Sequence, residues 1–205
     1  LIKLIFHKLN KMSRQISSNK WTVSFFSSEE TSGEGPKNGR AANLIDGVSS
    51  SFWHSKWTGE RANYPHIVII DLGETRSSNQ IGFVQRSNLV RAVKQVEVQV
   101  SLDGTNYEDV GRYNLANVTT LQKFDFEKEV KLKYLKITAV SSWDGKEFAA
   151  LAQVNLYRVQ DALEYDPSLS LAAQHFLLDS LPDLKQEGVP GVIEVFGADA
   201  FPLLL

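Results

Sequence analysis

Short runs rich in Val, Ile, Phe, Tyr and Thr recur through the middle of this 205-residue chain, and clusters of Gly, Asn, Asp and Ser separate them. Runs of this length and composition are typical of β-strands, and their spacing is typical of an all-β sandwich or barrel. The predicted strands cover residues 21–26, 66–72, 80–85, 93–102, 121–126, 132–140 and 151–159. This pattern leaves little room for helices in the middle of the chain.

Two of these runs indicate how the sheets are packed. In residues 93–102, valines alternate with polar residues, which is the period of a strand with one face in water. Asp103-Gly104 follows this run and predicts a tight turn in which the glycine has positive φ. The run that begins at His66 is apolar on both faces, so we place it in the middle of a packed sheet.

Charge divides the chain into three zones. Residues 1–20 contain five basic residues and no acidic one, whereas residues 161–205 contain eight acidic residues and one lysine. We therefore divide the chain into a basic N-terminal arm (1–20), a β-sandwich (21–159) and an acidic C-terminal arm (160–205). Within the last arm, residues 167–181 place apolar side chains at helical spacing, which predicts an amphipathic helix that packs on another surface. We expect the two arms to touch.

The composition argues against most catalytic chemistry. The chain has no Cys, which removes disulfides, thiolate metal sites and cysteine nucleophiles. Its four His do not form metal-binding pairs, and it contains no phosphate-binding loop, dinucleotide fingerprint or nucleophile elbow. Adjacent carboxylates such as Glu29-Glu30 are predicted only to be solvated. We therefore predict that the chain is not an enzyme, and its formal charge of −2 argues against nucleic acid as a partner.

Five segments of the chain resemble a known family in both order and spacing. They read ANLIDG (42–47), SFWHSKW (51–57), YPHIVIIDLG (64–73), VSLDGTNY (100–107) and YLKITA (134–139). The chain resembles the coagulation-factor type C (discoidin) superfamily of galactose-binding-like domains, and most closely the bacterial carbohydrate-binding modules appended to glycoside hydrolases. The resemblance implies a jelly-roll β-sandwich of two antiparallel sheets, with a sugar site formed by loops at one end.

A sugar site needs an aromatic platform for the apolar C–H face of a pyranose and polar groups that bond its hydroxyls. The residues that match the family's site are His54, Trp57, Arg86, Asn88 and Glu34, together with a stacking ring that is either Trp143 or Phe148. By this resemblance, His54 and Arg86 bond neighbouring hydroxyls, and Trp53 belongs to the core. Asn88 departs from the pattern, because the family usually places its Asn further from the Arg.

The resemblance also implies a structural calcium ion. The matching positions are Asp46, Asn43, Ser51, Ala152 and Gln153. The family has Glu at the position of Gln153, and a calcium site binds more weakly when a carboxylate is lost, so the expected site is a weakened one. No organic cofactor is expected.

These observations favour a non-catalytic module that binds galactose- or N-acetylgalactosamine-type glycans and belongs to a larger secreted, periplasmic or cell-surface polypeptide. Two alternatives stay open. The first is a phospholipid-binding discoidin domain, in which residues 87–91 form an apolar spike flanked by bases. Such domains usually carry a Cys pair that this chain lacks, so a membrane lipid is the less favoured partner. The second is a protein-interaction module.

Overall fold

The computed structural model describes residues 9–163, and the side chains of residues 13–159. The described residues form eight β-strands and one short 3₁₀ helix, which confirms the all-β fold. The strands are β1 (Leu9–Gln15), β2 (Thr22–Phe26), β3 (Trp53–His54), β4 (His66–Gln85), β5 (Val93–Ser101), β6 (Glu108–Asn114), β7 (Gln122–Ser142) and β8 (Ala150–Leu163), and the 3₁₀ helix is Ala41–Ile45. Among these residues, no helix is long and apolar enough to cross a membrane.

The chain divides into two compact units, of which Arg14–Arg158 contains the β-sandwich. The other unit combines Leu1–Ser13 with Val159–Leu205, so its described part is limited to the start of β1 and the end of β8. The helix predicted over residues 167–181 lies outside the described residues. The predicted contact between the arms also concerns residues that are largely outside them.

Two long bent strands build the sandwich. β4 and β7 were each predicted as two separate strands, but each is continuous, and the two pair antiparallel along most of their lengths. The register shifts between Asp71 and Arg76, where Gly73 adopts a φ of 78° that a side chain would strain. Before this shift β4 also pairs with β2, and after it β4 pairs with β8. One strand therefore contributes to both layers, which confirms the jelly-roll β-sandwich.

Alternate residues of these strands fill the space between the layers. Val68 and Ile70 come from the first half of β4, and Ile81 and Phe83 come from its second half. Trp53 is 2% exposed and belongs to the same core, as predicted. The sequence did not predict β6, because β6 is a largely exposed edge strand in which charged residues interrupt the apolar pattern.

The bend in β4 brings both of its ends to the same end of the sandwich. Gln85, the last residue of β4, pairs with Leu151 at the start of β8. His66, the first residue of β4, contacts the carbonyl oxygen of Glu147, just before β8, through Nε2 at 2.7 Å. The loops that precede β4, follow β4 and follow β7 therefore meet here. We call this the loop end of the sandwich.

Candidate functional site

A carboxylate at the loop end is held by donors from two other segments of the chain. Glu34 Oε2 accepts a hydrogen bond from an Arg86 Nη atom at 2.9 Å, and the second Nη lies 3.4 Å from Glu34 Oε1. The indole N–H of Trp57 donates to Glu34 Oε1 at 3.1 Å. The side chains of Glu34 and Arg86 are each 12% exposed, so water screens this pair less than a surface ion pair. The pair fixes the guanidinium before any ligand arrives.

His54 faces the same carboxylate as a hydrogen-bond acceptor. Its Nδ1 lies 2.6 Å from the carbonyl oxygen of Ser55, which only accepts, so Nδ1 carries the proton and Nε2 is unprotonated. Nε2 lies 3.7 Å from Glu34 Oε1. Burial lowers the pKa of His54, and the Ser55 carbonyl and Glu34 oppose this shift only in part. At neutral pH two acceptors therefore lie side by side, and a hydroxyl donor can satisfy each of them.

Glu30 braces the loops that carry Glu34 and Trp57. Its carboxylate accepts five hydrogen bonds, from the N–H groups of Ser32, Gly33, Trp57 and Thr58 and from the Thr58 hydroxyl. Burial raises the pKa of Glu30, but these hydrogen bonds outweigh it and lower the pKa to about 2. The prediction that Glu30 is only solvated is wrong, because it is 1% exposed. The signal that could have revealed this role is the Ser32-Gly33 turn after it, whose N–H groups need acceptors.

The brace also explains why residue 33 is glycine. A Cβ built on Gly33 would lie 2.3 Å from Cζ2 of Trp57, which is far inside van der Waals contact. The Gly33 backbone therefore packs directly on the Trp57 ring. This contact leaves Trp57 37% exposed, with its indole N–H directed at Glu34.

Phe148 is the aromatic ring that joins this cluster. Its ring centroid lies 6.2 Å from that of His54, and the guanidinium carbon of Arg91 lies 5.7 Å from the centroid of Phe148. Tyr64 fixes the loop by donating its hydroxyl proton to the Phe148 carbonyl oxygen at 2.6 Å. Burial raises the pKa of Tyr64 to about 12, so the hydroxyl keeps its proton at any physiological pH. Of the two rings that the sequence left open, Phe148 is the one that lies beside His54.

A small apolar layer supports the guanidinium from below. The guanidinium carbon of Arg86 lies 3.9 Å from the centroid of the Phe52 ring. Phe52 packs with Ala150, Ala152 and Val84 in a cluster separate from the main core. Neither Phe52 nor Arg91 was singled out from the sequence, because nothing local marks an aromatic residue that lies under a charge.

The two other sugar-site candidates have different partners. Asn88 is exposed, and its Oδ1 accepts a hydrogen bond from the Val90 N–H at 3.1 Å, so this side chain closes its own turn. Trp143 is 44% exposed, and its indole N–H donates to the Leu115 carbonyl oxygen at 3.0 Å.

Two of the residues expected to hold calcium, Asp46 and Ser51, meet in one turn, whereas Ala152 and Gln153 lie on β8. The two carboxylate oxygens of Asp46 accept hydrogen bonds from the Val48 N–H and the Ser51 hydroxyl. Asn43 donates to the carbonyl oxygens of Lys37 and Phe52, while Ala152 is fully buried. No group of three His, Asp or Glu that could hold a metal occurs in the described part of the chain.

Among the residues expected to hold calcium, Gln153 is the one with an unpartnered polar group. Its buried Nε2 has no hydrogen-bond partner within the described structure. If the terminal amide of Gln153 is flipped, Oε1 takes the position of Nε2 and no hydrogen bond within the protein is lost. Oxygen is the ligand atom that Ca²⁺ prefers. The oxygens of Asp46 and Ser51 lie together in one turn, and they supply only one carboxylate.

The described residues form a jelly-roll β-sandwich that carries at its loop end a cluster of a largely buried carboxylate, a guanidinium, a neutral imidazole and an aromatic ring. The family model of the F5/8 type C domain matches residues 25–154. The chain therefore belongs to the F5/8 type C family.

Known relatives share this domain. The chain is 30% identical over 142 residues to a sialidase from Micromonospora viridifaciens, which covers 67% of this chain and 21% of the sialidase. The solved C-terminal domain of a chitobiase from Bacteroides fragilis is 31% identical, with a TM-score of 0.65, over 73% of this chain and 99% of that domain.

A third relative shows the same fold at lower identity. The family 32 carbohydrate-binding module of NanJ from Clostridium perfringens, solved in complex with galactose, is 23% identical, with a TM-score of 0.60, over 72% of this chain and 100% of the module. The chain spans about a fifth of the length of the curated relatives it matches.

Proposed function

We propose that this chain is a non-catalytic carbohydrate-binding module that recognises glycans ending in galactose or N-acetylgalactosamine. The observation that carries the proposal is the cluster of Glu34, Arg86 and His54 beside the ring of Phe148. The C. perfringens modules solved with galactose and with a disaccharide of N-acetylgalactosamine and galactose support this choice of sugar.

The donors and acceptors of the cluster match those of a neutral sugar. Two neighbouring hydroxyls each donate a proton, one to His54 Nε2 and the other to Glu34, while Arg86 donates to a hydroxyl oxygen. The C–H face of the pyranose lies on Phe148, with Trp57 at its edge. The charges of Glu34 and Arg86 cancel, so the pocket has no net charge to attract an ionic ligand. Because the site is small, its affinity for one sugar is expected at roughly 10⁻³ to 10⁻⁵ M.

We extend the proposal to the parent polypeptide. The sialidase and chitobiase relatives are named as enzymes that process glycans, and this chain matches only part of the sialidase. We infer a secreted or cell-surface enzyme in which this module holds the substrate near a separate catalytic domain. A weak site serves this purpose, because a tethered module raises the local concentration of substrate without capturing it permanently.

Arg86→Lys tests the sugar site. Lysine keeps the charge opposite Glu34 but loses the planar fork, so galactose affinity should fall about tenfold or more while the fold is kept. Arg112→Lys is the matched control, because Arg112 also pairs with a carboxylate, that of Glu97, but on the exposed face of β6. Calorimetric titration with galactose, N-acetylgalactosamine and glucose measures both variants.

The same preparation should be tested against anionic phospholipid vesicles. Val90 is 43% exposed in the loop after β4, which is the segment that the lipid-binding alternative requires. Binding to vesicles without binding to any sugar would overturn the proposal in favour of the lipid-binding alternative. Equal galactose affinity in wild type and Arg86→Lys would refute the assigned role of Arg86.

We also propose that Ca²⁺ binds weakly at Asp46, Ser51 and Gln153. The support is the oxygen-rich turn around Asp46 and the unpartnered amide of Gln153. Bound there, the ion would tie the Asp46 turn to β8.

A further inference from the structure

Trp143 is an exposed aromatic ring whose orientation is fixed. Its backbone N–H donates to the Ala92 carbonyl oxygen at 2.9 Å, and its indole N–H donates to the Leu115 carbonyl oxygen at 3.0 Å. The side chain is nevertheless 44% exposed. A ring that is already immobilised loses little conformational entropy when a ligand lies on it, and this is the usual advantage of an aromatic anchor in a binding site.

A cationic donor accompanies the ring. Lys94 Nζ lies 5.2 Å from the centroid of Trp143, and the backbone carbonyl of Lys94 accepts a hydrogen bond from the Leu115 N–H at 2.9 Å. The Lys94 side chain is exposed and its ammonium group lies over the ring, so a sugar that stacks on this face displaces the ammonium group, which then donates from the edge of the ring. An apolar face next to a polar donor is the combination that a pyranose requires.

The Trp143 platform is continuous with the pocket around Glu34. Asp144 follows Trp143 and forms an ion pair with Arg91. The guanidinium carbon of Arg91 lies 5.7 Å from the centroid of Phe148. Trp143 and Phe148 thus stand at the two ends of one short loop at the loop end, and the Arg91–Asp144 pair connects them. Leu89 and Arg91 have φ of 58° and 61°, a conformation unusual for such residues, so the backbone that places Arg91 there is held under constraint.

We propose that Trp143 and Lys94 form a second sugar subsite, which takes the next unit of a glycan whose terminal sugar occupies the pocket of Glu34, Arg86 and His54. This inference rests on the proposed function and adds the substrate class: an oligosaccharide of two or more units rather than a free monosaccharide. The C–H face of the second sugar lies on Trp143, and Lys94 donates to one of its hydroxyls.

The test compares free galactose with galactose-terminated di- and trisaccharides. Wild type should bind the best extended glycan about fivefold to tenfold more tightly than galactose, the gain expected from one further aromatic contact. Trp143→Ala should remove this gain and change the galactose affinity by less than about twofold. Trp143→Phe should keep most of it, because the ring is retained. Phe25→Ala is the matched control, since Phe25 is an exposed aromatic residue (49%) on β2.

The outcomes separate the two proposals. If wild type binds galactose but gains nothing from any extension, or if Trp143→Ala keeps the gain, the second subsite is refuted and the proposed function stands. If no galactose-type glycan binds at all, the proposed function fails, and the second subsite fails with it. Unchanged melting temperatures in the variants establish that a lost gain comes from the missing ring and not from partial unfolding.

Discussion

Replacing Glu30 by Gln should destabilise the domain and disorder the proposed sugar site together. The Glu30 carboxylate accepts three hydrogen bonds at Oε1 and two at Oε2. Glutamine keeps the shape but substitutes an NH₂ donor for one oxygen, so at least two N–H donors face another donor. The affected groups belong to residues 32–33 and 57–58, which directly support Glu34 and Trp57.

The size of the effect follows from the pKa of Glu30. One pKa unit corresponds to about 1.4 kcal/mol, so lowering the pKa from 4.5 to about 2 stabilises the folded state by at most about 3 kcal/mol at neutral pH. Because the folded pKa is lowered, this stabilisation is complete above pH 4.5 and is lost as the pH falls towards 2. In a domain of this size, about 3 kcal/mol corresponds to a decrease in Tm of about 6 to 12 °C.

Thermal unfolding followed by circular dichroism, from pH 7 to pH 2.5, measures this effect. Glu29→Gln is the matched control, because the neighbouring carboxylate accepts one hydrogen bond, from the Ala41 N–H at 2.9 Å. We expect Glu29→Gln to lower Tm by no more than about 3 °C. The difference between wild type and Glu30→Gln should narrow as the pH falls below 4.5. A Glu30→Gln protein with the wild-type Tm at pH 7 would show that the five hydrogen bonds do not act as a brace.

Two further predictions concern acid and metal. Burial lowers the pKa of His54 below its usual 6.5, so galactose affinity should be constant near neutral pH and fall under more acidic conditions, as protonated Nε2 pairs with Glu34 instead of accepting from a hydroxyl. Calorimetry in steps from pH 7.5 downwards, with the fold followed by circular dichroism, checks this; an affinity that stays constant down to the pH at which the domain unfolds would contradict it. Gln153→Glu should enlarge the rise in Tm produced by Ca²⁺, because it adds a second carboxylate to Asp46. If Ca²⁺ changes the Tm of neither protein, Asp46 only closes its own turn.

The strands were predictable from the sequence because burial imposes a short-range alternation of apolar residues. The alternation did not predict that β4 and β7 are each continuous, because the polar residues at each bend have the composition of a loop. Pairing with neighbouring strands nevertheless keeps these residues in β-structure. β1 and β3 were also missed, because Leu9–Gln15 is mostly polar and Trp53–His54 is only two residues long.

For the candidate site, the sequence motifs predicted the residues whose side chains have an evident polar or aromatic role. His54, Trp57 and Arg86, which the resemblance groups with Glu34, lie around it in the structure. The role of Glu30 depends on a loop 27 residues away in the sequence, and that of Phe52 depends on the guanidinium packed on it. Contacts between residues so far apart in the sequence depend on the tertiary fold, so they cannot be predicted from local sequence patterns.

The separate apolar cluster beneath Arg86 has a consequence for how this module diversifies. Phe52, Ala150 and Ala152, with Val84, support the guanidinium without belonging to the main core. On the proposed function, we expect substitutions between the two sheets to change the thermal stability of the domain with little effect on the residues beneath Arg86, and changes in this small cluster to shift the guanidinium and alter sugar selectivity. Thermal stability and sugar selectivity would then vary independently within one small domain.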